Sequence, residues 1–531
     1  MSWQCPGKPI CEYDACENKS VFCLNCGLDE KEVREKERQY YANQRGESQS
    51  GNSKPRKTIA SPPPQRSLPI ARLGAIAIFA LLLGGGVFFW QKSRACPLGQ
   101  VREGKVCLTV IKPSEPERIS SGERTLFRHK GNLNRDRGID EFKAGNYPEA
   151  IEFLEKAVLG ARNDPEPQIY LNNAKARRKG SPLTLAAVVP ADNRATSAEE
   201  ILRGLADAQQ QFNDSRSRGD RLLEIAIVND GNDPQVAAEV AAELAQNPAI
   251  LAVIGHNSSD ATIAALPIYE KEGLPVISPT STSTDLGSSV FFRTVTSDRA
   301  TGEKLAEFTQ KDFQRIAIFY DTQSIYSQSL LKAFKSVFPA SGILEEIDLR
   351  QAQLDPRGAV EKSADGEAEA LILLPSTDTA SIALEIAVEN HNLPSRKMKL
   401  LGGDALYSPD TLINGRDAVQ GLILAVPWVS QSYDPTAYSA QAEKHWGGKI
   451  SWRNATSYDA ARAIASVLNN RSDRQQILAD LQTLELDREE TSGVMLKFSP
   501  TGELDREPFL VIADPDAPPP EGAKLGFKWL P

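Results

Sequence analysis

The sequence predicts an α/β protein in which two doubly wound parallel-sheet lobes, joined by a hinge, occupy residues 181–515. Apolar runs such as LTLAAVV, LLEIAIV and LAVIG alternate with amphipathic stretches of helical length, which is typical of a parallel sheet covered on both faces. The alternation pauses at VFFRTV and resumes with RIAIFY, so the strands are too many for one small sheet. Ahead of the lobes we expect a transmembrane helix and a short helical repeat, and after them a tail, 516–531.

Composition excludes two classes of function. The chain has 531 residues and a net charge of −9, whereas sequence-independent binding of nucleic acid needs a basic face. Its four histidines, His129, His256, His391 and His445, are scattered without helical spacing, which argues against a histidine-based metal centre.

The first 42 residues form a cysteine-rich segment that we expect in the cytoplasm. Four thiolates at this spacing can enclose a structural zinc ion, and so short a segment has little core of its own. The favoured ligands are Cys11, Cys16, Cys23 and Cys26, with Cys5 as a substitute for one of the first two. The alternative is a loose cysteine-rich tail that binds no metal. A Ser-, Pro- and Arg-rich linker is predicted over 43–70.

A transmembrane helix is predicted over 71–91, because no charged residue lies between Arg72 and Lys92. A buried soluble helix is the alternative interpretation. A narrow excess of basic residues before the span favours a cytoplasmic N-terminus, which places the lobes in the periplasm or outside the cell. The following linker, 92–125, could close a Cys96–Cys107 disulfide loop there.

Residues 126–180 read as two helical stretches separated by a Gly-Asn-Tyr turn. The pattern resembles a tetratricopeptide repeat at a set of small, aromatic and turn residues, namely Gly145, Asn146, Tyr147, Ala150, Ala157, Pro165 and Tyr170. Only about one and a half repeats are present, and a free-standing solenoid needs about three. We therefore expect this segment to pack on a neighbour or to act as a spacer.

Two polar loops leave successive strand ends of the first lobe, where doubly wound sheets bind ligands. IGHNSSDAT carries Ser258 and Ser259 into a helix, and VISPTSTSTDL presents six hydroxyl side chains after the next strand. Hydroxyls beside free backbone amides can hold a carboxylate without a buried counter-charge. Ordinary helix capping explains either loop alone, but the two together favour a binding site.

The stretch from IGHNSSDAT to FFRTVTSDRATGEKLAEF resembles the branched-chain amino-acid-binding proteins of ABC importers, which are type I periplasmic binding proteins. The resemblance covers roughly 181–515. It implies that the ligand carboxylate meets Ser259 of the serine loop, beside the candidate Ser258, and Ser281 and Thr282 of the Ser/Thr loop. It also implies an ammonium site at Asp298 and Asp404, with Tyr326 at the start of a second-lobe helix. Asp404 departs from the family, which commonly has Glu there, and Trp428 could line the side-chain pocket or fill the hinge.

The predicted function is therefore solute capture for an ABC importer. A small-molecule ligand, an amino acid or related polar solute, would be bound by lobe closure about crossings near 295–298, 427–431 and 488–493. Expected partners are the importer's permease and ATPase subunits, with no nucleic acid. The alternative is a membrane-anchored ligand sensor or scaffold that signals to a cytoplasmic partner. The sequence lacks nucleophile-elbow, P-loop and zinc-protease motifs, so we expect no catalysis and no cofactor in the lobes.

Overall fold

The computed structural model describes residues 116–394, 397–430, 438–470, 472–504 and 506–531. N-terminal to residue 116, only the backbone of four short strands is described. Strands β1 (Trp3–Cys5) and β2 (Cys16–Asn18) pair antiparallel, with Cys5 opposite Cys16. Strands β3 (Gln100–Glu103) and β4 (Val106–Thr109) form a second antiparallel pair, which belongs to a separate compact unit, Arg34–Lys112.

Several predicted N-terminal features lie outside the described residues. These are the linker 43–70, the membrane span 71–91, Cys96, and the zinc-ligand candidates Cys11, Cys23 and Cys26; Cys16 is described by its backbone alone. Within the described part of the chain, no helix combines the length and the apolar character that crossing a bilayer requires. The same residues hold no cluster of three metal-ligating side chains. The zinc site and the anchor stay predictions.

The first lobe is built on a six-stranded sheet in the order β10-β9-β8-β6-β7-β5. Its strands are β5 (Ile119–Ser120), β6 (Leu183–Val189), β7 (Leu223–Asn229), β8 (Ile250–Ile254), β9 (Val276–Ser278) and β10 (Phe291–Arg293). All pairs are parallel except β5 with β7. Alternate residues of β6 enter different cores, with Leu185 and Ala187 on one face and Ala186 and Val188 on the other. This is why its sequence is apolar throughout.

Helices cover both faces of this sheet. They are α1 (Leu133–Lys143), α2 (Tyr147–Gly160), α3 (Pro165–Lys179), α4 (Ala195–Asp214), α5 (Pro234–Gln246) and α6 (Ser259–Lys271), and three further helices come from the C-terminal part. The predicted helical stretches on either side of Gly145 are α1 and α2. Whether they form a tetratricopeptide repeat stays a prediction.

The helical segment is fastened to the sheet by Asn173 of α3. Its Nδ2 donates to Ile225 O (2.8 Å) and Ser121 O (2.7 Å), and its Oδ1 accepts from Ile225 N (2.9 Å). A buried side-chain amide thus replaces a neighbouring strand at this position of β7. The first lobe therefore begins near residue 117, well before the predicted boundary at 181.

The second lobe is built on a seven-stranded sheet in the order β12-β11-β13-β14-β15-β18-β19. Its strands are β11 (Ile316–Tyr320), β12 (Ile343–Asp348), β13 (Ala370–Leu374), β14 (Lys399–Gly402), β15 (Ile423–Val426), β18 (Phe509–Asp514) and β19 (Gly526–Leu530). Its helices are α7 (Asp298–Asp312), α8 (Ile325–Val337), α9 (Pro356–Asp365), α10 (Ala380–Asn392) and α11 (Pro409–Gly415). The last two strands run antiparallel to their neighbours. Consequently, 516–531 is not a tail, because β19 pairs along β18.

Between β15 and β18 the chain returns to the first lobe. There it forms α12 (Tyr438–Trp446), α13 (Trp452–Val467), α14 (Arg474–Gln482) and the short hairpin β16 (Glu485–Leu486) and β17 (Leu496–Lys497). Short 3-10 turns occur at Pro116–Arg118, Ala340–Gly342, Asp404–Leu406, Arg416–Val419 and Arg488–Glu490.

Three crossings join the lobes, and the third is not where the sequence placed it. Residues 488–493 pack on the first lobe, since Ser492 donates from N (2.6 Å) and Oγ (2.8 Å) to Asp459 of α13. The third crossing lies instead between Leu504 and Phe509. Leu504 still belongs to the first lobe, because it forms a β-bridge with Phe498 just after β17, and Phe509 is the first residue of β18. Trp428 is 1% exposed and donates from Nε1 to Ser492 O (3.2 Å), so it fills the hinge and does not line the cavity between the lobes.

Candidate ligand-binding site

A cavity of about 200 Å³ lies between the lobes at the carboxyl ends of their strands. Asn257 follows β8 and Thr280 follows β9 in the first lobe, while Ser376 follows β13 and Asp404 follows β14 in the second. Doubly wound sheets place their ligand crevices at this edge, because loops and helix N-termini present free polar groups there. Four predicted site residues line the cavity: Ser258, Ser259, Tyr326 and Asp404.

The serine loop forms the first-lobe wall. Ser258 is the N-cap of α6 and accepts from Ala261 N (3.2 Å), and Ser259 Oγ accepts from Ser283 N (3.2 Å). Each hydroxyl therefore retains its own hydrogen for an acceptor in the cavity. The capping interpretation and the binding interpretation are thus compatible for these two serines.

Asp260, next along the loop, reaches the opposite lobe. Its carboxylate accepts from Ile325 N (3.0 Å) and from Ser324 Oγ (3.2 Å) at the start of α8. A carboxylate is favourable at a helix N-terminus, where the backbone N–H groups are unpaired. This contact caps the second-lobe helix that carries Tyr326 and joins the two lobes beside the cavity.

Ser281 and Thr282 lie behind the cavity wall. Ser281 Oγ makes hydrogen bonds with Thr262 Oγ1 (2.6 Å) and His256 O (3.1 Å). Thr282 Oγ1 is buried and has no hydrogen-bond partner within 3.5 Å in the described part of the chain. Neither residue lines the cavity, where Thr280 represents the Ser/Thr loop.

Tyr326 and Asp404 form the inner end of the second-lobe wall. The phenol of Tyr326 donates to Asp404 Oδ1 (2.8 Å), and Asp404 is 4% exposed. Burial raises the pKa of Asp404, while the bond from Tyr326 lowers it. An ammonium group placed here would gain a charge-assisted hydrogen bond in a water-poor site.

Asp298 opens α7 and is fully buried. Neither of its carboxyl oxygens has a hydrogen-bond partner within 3.5 Å among the described residues. Burial raises its pKa to about 8; the Thr282 and Ser329 hydroxyls and the Arg293 charge lower it, and the negative charge of Asp404 raises it further. It lies outside the cavity lining.

Two lining residues that the sequence reasoning missed are Trp452 and Arg453, which open α13. Trp452 Nε1 is buried without a partner in the described chain, so it is a donor available to a ligand. Arg453 donates to Tyr407 O (3.1 Å) across the lobes and pairs with Glu200 (3.4 Å). Their helix packs closely on α4 because residue 204 of α4 is a glycine. A Cβ atom added at Gly204 would lie only 2.2 Å from Asn454 O. The Ser451 cap marks the helix start in the sequence, but no pattern there shows that it faces the cleft.

Charged side chains bridge the mouth of the cleft. Arg350 donates to Asp321 Oδ1 (2.6 Å) and lies 3.4 Å from Asp378, which in turn pairs with Arg194 of the first lobe (2.7 Å). Asn232 Nδ2 also donates to Thr377 Oγ1 (3.3 Å) across the lobes. These contacts hold the two lobes together at the outer edge.

His256 does not form a catalytic pair with the neighbouring serines. Its Nδ1 bonds to Asp230 Oδ2 (2.7 Å) and its Nε2 to the hydroxyl of Tyr269 (3.0 Å), and all three side chains are buried. The arrangement ties the ends of β7 and β8 to α6. It presents no base to Ser258 or Ser259.

Comparison with known families gives a match to the periplasmic binding protein family over residues 192–511. Among curated proteins, a leucine-, isoleucine-, valine-, threonine- and alanine-binding protein of Pseudomonas aeruginosa is 30% identical over 145 residues, which are 26% of this chain and 38% of that protein. A Leu/Ile/Val/Thr-binding protein of Salmonella typhimurium is 34% identical over 131 residues, or 24% and 35% of the two chains. The matched stretches thus span well under half of these relatives.

Solved structures with a similar fold cover the two lobes. A leucine-binding protein of Thermotoga maritima matches 65% of this chain and 97% of its own, with a TM-score of 0.57 and 19% identity. The substrate-binding protein of a branched-chain amino acid transporter from Streptococcus pneumoniae, in complex with isoleucine, matches 66% and 99% with a TM-score of 0.57 and 15% identity. At these identities the likeness extends to the fold alone.

Proposed function

Because this chain belongs to the periplasmic binding protein family, we propose that it captures a small zwitterionic solute, an amino acid, by closing its two lobes. The observation that carries the proposal is the division of the cavity wall. Hydroxyls of Ser258 and Ser259 face inward from the first lobe, and the Asp404–Tyr326 pair faces inward from the second. Hydroxyls suit a carboxylate and a carboxylate suits an ammonium group, so the two walls together match a zwitterion.

Closure follows from this division of contacts between the lobes. An open form offers the ligand one wall at a time, whereas a closed form offers both, so the ligand binds the closed form more tightly. Hinge closure around a ligand is the characteristic motion of periplasmic binding proteins as a class. The interlobe contact of Asp260 with the start of α8 supports the same coupling.

We further propose that the closed form is recognised by the membrane subunits of an ABC importer, outside the cytoplasm. The curated relatives support binding of an amino acid, since they are named for binding leucine, isoleucine, valine and threonine, and one of them also for alanine. Anchoring by the predicted span 71–91 would keep this binding protein beside the importer.

The direct test is isothermal titration calorimetry of the purified full-length chain against a panel of L-amino acids. We expect at least one to bind with a micromolar or lower Kd. In Asp404→Asn the affinity for it should fall by about 10-fold to 100-fold, since a hydrogen bond to a charged group contributes about 1.5–3 kcal/mol.

Asp417→Asn is the matched control, because Asp417 is an exposed carboxylate of the same lobe away from the cavity. It should leave the affinity unchanged. If no amino acid binds, or if both variants bind as the unaltered chain does, the proposed function is wrong.

A further inference from the structure

Most of the residues that line the cavity have polar side chains. Beyond the Asp404–Tyr326 pair, the wall consists of side-chain amides, hydroxyls and charged groups, chiefly Asn232, Asn257, Gln323, Arg350, Thr377 and Asp378. The lining residues with mainly apolar side chains are Pro234, Ala405, Trp452 and the ring of Tyr326. The inner end is the buried end, since Asp404 is 4% exposed whereas the Asp378 side chain is 49% exposed. A ligand with its ammonium group at Asp404 therefore projects its side chain toward polar groups.

The charges at this outer end cancel. Two guanidinium groups, of Arg194 and Arg350, face two carboxylates, of Asp321 and Asp378, in one connected set of ion pairs. A charged ligand side chain placed against these four groups would have to break one of their pairs to gain a counter-charge. Desolvating a charge without a partner is costly, so the set disfavours both an anionic and a cationic side chain.

The amide groups leave hydrogen-bonding capacity facing the cavity. Asn257 donates from Nδ2 to Asn232 Oδ1 (3.1 Å), and Asn232 donates from Nδ2 to Thr377 Oγ1 (3.3 Å), which makes a chain of polar groups across the cleft. Asn257 is 6% exposed and lines the cavity, and within the described chain its side chain bonds only through Nδ2, which leaves its Oδ1 as an acceptor. An aliphatic ligand side chain would remove water from these groups without replacing its hydrogen bonds.

We propose that the ligand is an amino acid whose side chain is neutral and hydrogen-bonding, a carboxamide in preference to a hydroxyl, rather than a branched aliphatic one. This inference rests on the proposed function, because it assumes that the α-ammonium and α-carboxylate groups occupy the inner end. A carboxamide both donates and accepts, which matches the mixed donors and acceptors of Asn257, Gln323 and Thr377.

Three amino acids of nearly the same shape separate the possibilities. Asparagine, leucine and aspartate all branch at Cγ, and they differ there in polarity and charge. Calorimetry with the full-length chain should give asparagine a Kd about 10-fold or more below those of leucine and aspartate, because a site built for hydrogen bonds penalises a ligand that lacks them. Threonine should likewise bind more tightly than valine, which has its shape without the hydroxyl.

Asn257→Leu should lower the asparagine-to-leucine affinity ratio by about 10-fold, and Gln323→Leu, at a more exposed position that tolerates change, should lower it in the same direction. Asn163→Leu is the control, because Asn163 is exposed and does not line the cavity, and it should leave the affinity ratio unchanged. Tighter binding of leucine than of asparagine would overturn this inference and leave the proposed function standing. Binding of no amino acid would overturn both.

Discussion

At the scale of single residues, Asp298 is a buried carboxyl group whose protonation is linked electrostatically to Asp404 of the cavity wall. A carboxyl group that is fully buried and has no hydrogen-bond partner within 3.5 Å in the described chain is more stable in its neutral form, and its pKa is accordingly raised to about 8. Asp404 adds a neighbouring negative charge, while Arg293 adds a compensating positive one. In the ligand-free protein at neutral pH, Asp298 is therefore mainly protonated.

This protonation predicts how binding depends on pH. An ammonium group beside Asp404 favours the ionised form of Asp298, so binding should release a proton and the affinity should rise from about pH 6 to about pH 8. Calorimetry in buffers of different ionisation enthalpy counts the released protons. In Asp298→Asn the release should disappear; a proton count of zero in the unaltered protein would contradict the assignment.

The stability of the ligand-free protein should fall as the pH rises, whereas the affinity for the ligand should rise. The folded pKa of about 8 exceeds the ordinary value of 3.8, so the stabilising protonation is complete below about pH 4 and is lost as the pH rises through about 8. The Tm of the ligand-free protein should therefore fall between about pH 5 and about pH 9, and it should fall less in Asp298→Asn. Asp312→Asn, at the exposed end of the same helix, should show the fall of the unaltered protein.

The residues of the site could be predicted in part. Ser258, Ser259, Tyr326 and Asp404 each follow a strand closely, so a parallel fold alone brings them to one edge. Trp452 could not be found this way, because it opens a helix that returns to the first lobe after the whole second sheet. Its position depends on how α13 packs on α4, which sequence periodicity does not encode.

At the scale of elements, the helical segment is part of the first lobe because α3 supplies hydrogen bonds to the sheet. Asn173 is fully buried and occupies both backbone groups of Ile225. Glu166, on the same helix, accepts from Leu126 N (2.7 Å) and Thr125 Oγ1 (2.7 Å), which holds the preceding loop in place. These contacts make the segment more than a spacer.

Asn173→Ala should therefore destabilise the protein strongly. It leaves Ile225 N and O buried without partners, and each lost bond of this kind costs about 1–3 kcal/mol, so we expect about 3 kcal/mol in all. Urea denaturation followed by tryptophan fluorescence measures the change. Asn163→Ala, on an exposed loop beside the same helix, should change the stability by less than about 0.5 kcal/mol. Equal stability of the two variants would show that the segment is only tethered.

The long strands and helices were predictable, whereas the two marginal strands were not. LTLAAVV and ALILL are fully buried on both faces, so their composition alone indicates strands. β5 has two residues, and β19 reads as Gly-Phe-Lys-Trp-Leu after a Pro-rich stretch, so neither has the length or the apolar run that marks a buried strand. Both strands lie at the edge of their sheet. The partner of β5 is β7, which is distant in sequence, and β19 is separated from its partner β18 by an irregular stretch.

At the scale of the whole molecule, closure depends on three crossings, two of which are tied to one point in the first lobe. Ser492 receives Trp428 from the second crossing, and Asp459, which binds Ser492, also pairs with Arg506 (3.0 Å) from the third. The second and third crossings are thus both anchored on the first lobe. Sequence identified the first two crossings, but the third was misplaced because the β16–β17 hairpin reads like the start of the closing strands of the second sheet.

The central claim, that the lobes close over the ligand, is tested most directly by a distance measured between them. The seven cysteines all lie in the first 107 residues, so replacing them by serine leaves both lobes unchanged. Gln235→Cys and Gln353→Cys then carry one spin label on each lobe near the cleft mouth, at exposed positions. On addition of a saturating amino acid that calorimetry has identified as a ligand, pulsed electron paramagnetic resonance should give a shorter and narrower distance distribution. An unchanged distribution, with the ligand bound, would contradict the account.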